Sequence, residues 1–167
     1  IENVFVGAQD VSEFESGAHT GRVGVNQIFD YSDYCIIGHS EMQSSPDSVL
    51  AKNQLLLADD LIPIVCYVDK SDFEKFYSEN SILAWEDPEN ISQNGVYNSK
   101  DPKIVQEYFV ELKNSRPDAT VLYGGSVNRQ TSKELGMITE LDGLLVGSAS
   151  LDPRHFFEIL SGLEATK

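Results

Sequence analysis

The stretch from Asp101 to Ser126, D-P-K-I-V-Q-E-Y-F-V-E-L-K-N-S-R-P-D-A-T-V-L-Y-G-G-S, holds one complete repeat of the pattern on which the chain is built. Asp101 sets a capping carboxylate before Pro102, whose fixed φ suits the first position of a helix, so a helix starts here. Ile104, Val105, Tyr108, Phe109 and Leu112 then fall on one helical face and form a stripe that covers a sheet. Thr120 to Tyr123 is a short β-branched and apolar run, which reads as a strand, and Gly124-Gly125-Ser126 is the loop that ends it.

Outward from this stretch the same unit recurs. Further strands are expected at Val4 to Val6, Tyr34 to Ile37, Leu61 to Val68, Ile82 to Trp85 and Leu144 to Val146. None alternates cleanly, as expected of strands covered on both faces. Asp152-Pro153 and Ser45-Pro46 mark helix starts in the manner of Asp101-Pro102. Ser71 with Glu74 has capping-box spacing and opens a helix that ends near Tyr77. Six βα units require parallel neighbours joined by helical crossovers, which makes this an α/β protein. Periodicity alone leaves barrel and open sheet both standing. No linker rich in Pro, Gly and Ser interrupts the pattern, so residues 1–167 are read as a single domain.

Of the 167 residues, 41% are hydrophobic and 23% charged, the balance of a globular domain. Twelve Lys and Arg against 27 Asp and Glu give a net charge of -15, which repels nucleic-acid backbones and anionic membrane surfaces. The apolar runs fall far short of the roughly 20 residues that span a bilayer, and no basic, then apolar, N-terminal signal is present. Cys35 and Cys66 each lie in an apolar run, with no C-x-x-C and no His/Cys cluster at metal-ligand spacing. Both read as buried thiols of a cytoplasmic protein. The chain opens at Ile1, which leaves room for a preceding segment.

Polar residues and glycines gather after the strands: Gly7-Ala8-Gln9, Gly38-His39-Ser40-Glu41, Glu86, Gly124-Gly125-Ser126 and Gly147-Ser148-Ala149-Ser150. Ligands of α/β proteins bind at that carboxyl edge. Each group is weak evidence alone; their order is specific. V-G-A-Q-D (Val6 to Asp10) with E-S-G-A-H-T-G (Glu15 to Gly21) resembles the third strand and following loop of the triosephosphate isomerase family. I-I-G-H-S-E (Ile36 to Glu41) resembles its fourth strand, L-Y-G-G-S-V (Leu122 to Val127) its seventh, and L-D-G-L-L-V-G-S-A-S-L (Leu141 to Leu151) its eighth.

The resemblance implies a TIM-type (βα) barrel, incomplete, with about six parallel strands and helices outside. It implies interconversion of dihydroxyacetone phosphate and glyceraldehyde 3-phosphate through an enediolate, a step of glycolysis and gluconeogenesis. That reaction needs a base over carbon, donors to the oxyanion and a grip on phosphate. Glu86 matches the carboxylate base, His39 the neutral imidazole that polarises the carbonyl, and Glu41 a supporting carboxylate or else an ion-pair residue. This family is itself the standard worked example of such tuning, so these roles come with the resemblance. Gly125, Ser126, Gly147 and Ser148 match the phosphate grip, which uses backbone N–H groups of turns entering helices and so suits an acidic protein. The segment E-D-P-E-N-I-S-Q-N-G (Glu86 to Gly95) matches the lid, with Asp87, Pro88 and Ile91 in it and Ser92 toward phosphate. Ser92, Gln93 and Asn94 replace the glycine-rich end of the family's lid, and Ser148 replaces a glycine. No metal and no organic cofactor is implied.

The family barrel has eight strands in roughly 250 residues, and this chain begins at the third. No residue of it matches the lysine of the family's first-strand N-x-K motif. Lys100 and Lys103 read as solvent-facing residues near a helix start. Two unpaired parallel edges then have to be covered, by a separate or preceding N-terminal fragment, by edge pairing into a homo-oligomer, or by shifted loops. Arg22, in Thr20-Gly21-Arg22, and Met42, after Glu41, replace both halves of the family's T-G-E to H-S-E-R intersubunit ion pair, which is either drift at two polar positions or a remodelled dimer contact. The rival reading is a barrel fragment or structural oligomer that performs no chemistry because it lacks that lysine.

Overall fold

The computed structural model describes residues 3–86, 90 and 98–166. The chain divides into two compact units, Ile1–Leu83 and Ala84–Lys167. The first holds β1 (Gly7–Ala8), α1 (Val25–Ile28), β2 (Tyr34–Ile37), α2 (Pro46–Ala58), β3 (Ile62–Tyr67) and α3 (Lys70–Phe76); β4 (Ile82–Trp85) runs across the division. The second holds α4 (Pro102–Ser115), β5 (Thr120–Tyr123), α5 (Ser132–Gly136), β6 (Gly143–Leu144) and α6 (Pro153–Glu164). Hydrogen bonding sets the strands in chain order, β1-β2-β3-β4-β5-β6. This is the order that repeated βα units produce, and the expected α/β class with parallel strands stands.

In the first unit, β1 pairs with β2 from Gly7 opposite Tyr34, and β2 pairs with β3 from Tyr34 opposite Ile62, both parallel. Cys35, Ile37, Val65, Cys66 and Tyr67 are buried, with Val49 and Leu56 of α2 and Phe73 and Phe76 of α3 in the same core. Consecutive buried residues on β3 explain why its sequence does not alternate. In the second unit, β5 pairs with β6 in parallel, Leu122 opposite Gly143. Val105, Phe109 and Leu112 of α4 are buried with Val121, Tyr123, Leu135 and Ile159.

Three of the helix starts read from sequence carry the expected caps. Side-chain oxygens of Ser45, Asp101 and Asp152 accept from the N–H groups of Ser48, Lys103 and Arg154. Other expectations need correction. The first strand lies at Gly7–Ala8 rather than Val4 to Val6: those three side chains are exposed, and pairing begins where the Val6 carbonyl accepts from Asp33 and Tyr34. The sixth lies at Gly143–Leu144, not Leu144 to Val146; an apolar run sets the composition of a strand but not its register. Ser71 is inside α3, whose N-cap is Asp69, and no side-chain capping bond is made there. Ile104 is exposed, because the buried face of α4 is narrower than the apolar stripe.

Candidate active site

In the first unit, β2 runs into Gly38, which has φ +72°. A Cβ there would stand 3.0 Å from the Cys66 carbonyl oxygen and 3.2 Å from Val49, so conformation and space both require glycine. The chain then enters a 3₁₀ turn, Ser40–Met42, with His39 as its N-cap. His39 Nδ1 accepts the Glu41 N–H at 3.3 Å. A nitrogen that accepts carries no proton, so this bond assigns the ring hydrogen to Nε2, a donor. The Glu41 carboxylate is 3.9 Å from the same nitrogen, and its side chain is 85% exposed. Of the two Glu41 contacts, the amide is the hydrogen bond; so exposed an ion pair contributes little.

In the same unit, Lys52 Nζ meets Asp10 Oδ1 at 2.7 Å, with the lysine side chain only 1% exposed. Burial, and secondarily the Asp10 charge, push the Cys35 thiol up to about 12, so it remains protonated and unreactive. Sequence reading passed over this pair. The signal was present, since Lys52 and Asn53 lie three and four residues after Val49 on the face of α2 that ends at Leu56, and a lysine on a core face requires a partner.

In the second unit, Glu86 follows β4 and is 3% exposed, which excludes a solvated loop carboxylate. Trp85 stacks on Tyr108 with ring centroids 3.9 Å apart, and the Lys100 ammonium lies 5.5 Å from the Trp85 ring. Lys100 is therefore held on an aromatic face instead of pointing into solvent; Lys103 is exposed as expected. The Gly124 N–H donates to the Trp85 carbonyl at 2.9 Å. Parallel pairing of β5 with β6 puts the loops after both strands at one edge.

The turn after β5 is tightly made. A Cβ on Gly125 would collide with the Tyr123 hydroxyl. Ser126 has φ +48° and is 7% exposed, and its Oγ is buried with no hydrogen-bond partner among the described residues. Its carbonyl accepts from Ser99 Oγ and from Asn128 Nδ2, each at 2.9 Å. Ser99 and Asn128 were not singled out from sequence, although Asn128 two residues before Gln130 is a recognisable Asx-turn spacing, and its Oδ1 accepts the Gln130 N–H at 2.9 Å. The expected helix dipole is not found here: α5 begins only at Ser132 and has five residues. After β6, Gly147 leads into a 3₁₀ turn, Ser148–Leu151, and α6 starts only at Pro153. A Cβ at Gly147 would meet nothing within 4 Å, so this glycine faces open space, and Ser148 is exposed. Asp87, Pro88, Ile91 and Ser92 lie outside the described residues.

Among the described residues no group of three or more His, Cys, Asp or Glu could hold a metal ion, and no helix is long and apolar enough to cross a membrane. Residues 1–163 match the triosephosphate isomerase family. A triosephosphate isomerase of Mesomycoplasma hyopneumoniae strain 7448 is 34% identical over 93% of this chain and 73% of its own length. That of Alkalilimnicola ehrlichii is 32% identical over 95% of this chain and 76% of its length. That of Wolbachia pipientis wMel is 26% identical over 97% and 73%. With a match across nearly all of its length, this chain belongs to the triosephosphate isomerase family and is, by family, an isomerase.

Proposed function

We propose that the chain interconverts dihydroxyacetone phosphate and glyceraldehyde 3-phosphate, with Glu86 moving the proton between adjacent carbons. The observation that carries this reading is Glu86 itself, a carboxylate at a strand end kept 3% exposed. The same carboxylate serves both directions: it takes a proton from one carbon to give an enediolate and returns it to the neighbouring carbon. His39 donates from Nε2–H to the developing oxyanion, and the Glu41 amide keeps it in that tautomer. Gly125, Ser126, Gly147 and Ser148, with Ser92, hold the phosphate through neutral donors, and Asp87, Pro88 and Ile91 form part of the lid. The setting is glycolysis and gluconeogenesis, the domain spans 1–167, and the working form is a homo-oligomer.

The test is isomerase activity of the purified chain on glyceraldehyde 3-phosphate, with Glu86→Gln prepared identically to account for host enzyme. Activity lost by at least about a thousandfold in the variant supports the reading. Equal background in both preparations supports the rival reading of a scaffold without chemistry.

A further inference from the structure

Two unfavourable features meet at Ser126. Its backbone is left-handed at φ +48°, which a residue bearing a Cβ adopts at a cost, and its hydroxyl is buried without a partner among the described residues. Something must hold the residue there. Asn128 Nδ2 donates to the Ser126 carbonyl at 2.9 Å and to Ser99 Oγ at 2.8 Å, and Ser99 Oγ donates to the same carbonyl at 2.9 Å. The protons count out: the two amide hydrogens of Asn128 and the one hydroxyl hydrogen of Ser99 are each used once, and both lone pairs of the carbonyl are filled. The Asn128 amide oxygen is occupied by the Gln130 N–H. Only one orientation of the amide satisfies this triangle.

We infer that Ser99 and Asn128 are positioning residues of the phosphate turn, tying back the Ser126 carbonyl so that the Ser126 hydroxyl stays unpaired for a phosphoryl oxygen. The inference rests on the phosphate role proposed for this turn. A carbonyl oxygen beside an anion is repulsive, and donors that fill both of its lone pairs weaken that repulsion. A hydroxyl without a partner among the described residues is a donor that an anion can use without first breaking another bond. Neither Ser99 nor Asn128 touches the substrate in this account. They act through Ser126.

The test is titration of the full chain with inorganic phosphate, followed by ³¹P NMR, for wild type, Ser99→Ala, Ser99→Thr and Asn128→Ala, with kcat and KM measured beside it. Ser99→Ala is expected to weaken phosphate about tenfold and raise KM comparably, with kcat changing less than about threefold. Ser99→Thr, which keeps the hydroxyl, restores binding to near wild type. Asn128→Ala is expected to weaken binding more; should it fail to fold, Ser99→Ala decides alone. A merely structural role lowers the melting temperature of Ser99→Ala but leaves phosphate affinity unchanged, and that result overturns the inference while the phosphate role stands. Wild type that binds no phosphate overturns both.

Discussion

The Glu41 amide bears directly on the chemistry of His39. With Nδ1 accepting the Glu41 N–H, the ring presents Nε2–H as a neutral donor. His39→Gln retains an N–H donor but loses the imidazole's geometry and polarisability, and kcat is expected to fall about a hundredfold or more with a smaller change in KM, read from steady-state kinetics. The thiol of Cys35 gives a second prediction. Burial raises it from 9.0 to about 12, so the folded state keeps a proton that the unfolded state releases. Stability from this group is complete below pH 9 and falls as pH rises toward 12, and urea midpoints measured from pH 8 to 10.5 should drop more for wild type than for Cys35→Ala. At this scale sequence reading went far for groups whose role is set by identity and neighbours, such as the buried cysteines. It missed Ser99, Asn128 and the Asp10–Lys52 pair, because each acts through a partner distant in the chain: Lys52 meets Asp10 across 42 positions and Asn128 meets Ser99 across 29.

Helix starts were the most legible elements, since Ser45, Asp101 and Asp152 cap through residues two or three positions away. Strand ends were less so. The two-residue β1 and β6 are defined by partners in other segments, and no local signal fixes that register. Long-range pinning is clearest at Asp142, whose Oδ2 accepts from Lys113 Nζ at 2.9 Å and from the Val121 N–H at 2.8 Å. Lys113 also donates to the Ala119 carbonyl at 2.6 Å. One carboxylate thus ties the end of α4, the start of β5 and the approach to β6. Asp142→Ala leaves the buried strand's N–H without its acceptor and is expected to cost about 2 kcal/mol in urea unfolding, well beyond what an exposed salt bridge contributes. A loss below about 0.5 kcal/mol contradicts this assignment.

At the scale of the molecule, the order of glycine and polar groups after successive strands carried the family, and the observed strand order agrees with it. The site was legible as residue types at strand ends. How each is held was not, because turn geometry and burial follow from packing. The acidic surface implied by a net charge of -15 fits an anion site made of neutral N–H and O–H donors, which need no Lys or Arg. The proposed homo-oligomer has its own test: sedimentation should give a mass above that of one chain, and Arg22→Glu should change it if the Arg22 loop forms the contact. An unchanged mass removes that contact from the account. The central claim, proton transfer by Glu86, is tested most directly by incubating the chain with dihydroxyacetone phosphate in D₂O and reading deuterium at the carbon beside the carbonyl by NMR. The account predicts incorporation by wild type and none above background by Glu86→Gln; equal incorporation by the two, or none by either, contradicts it.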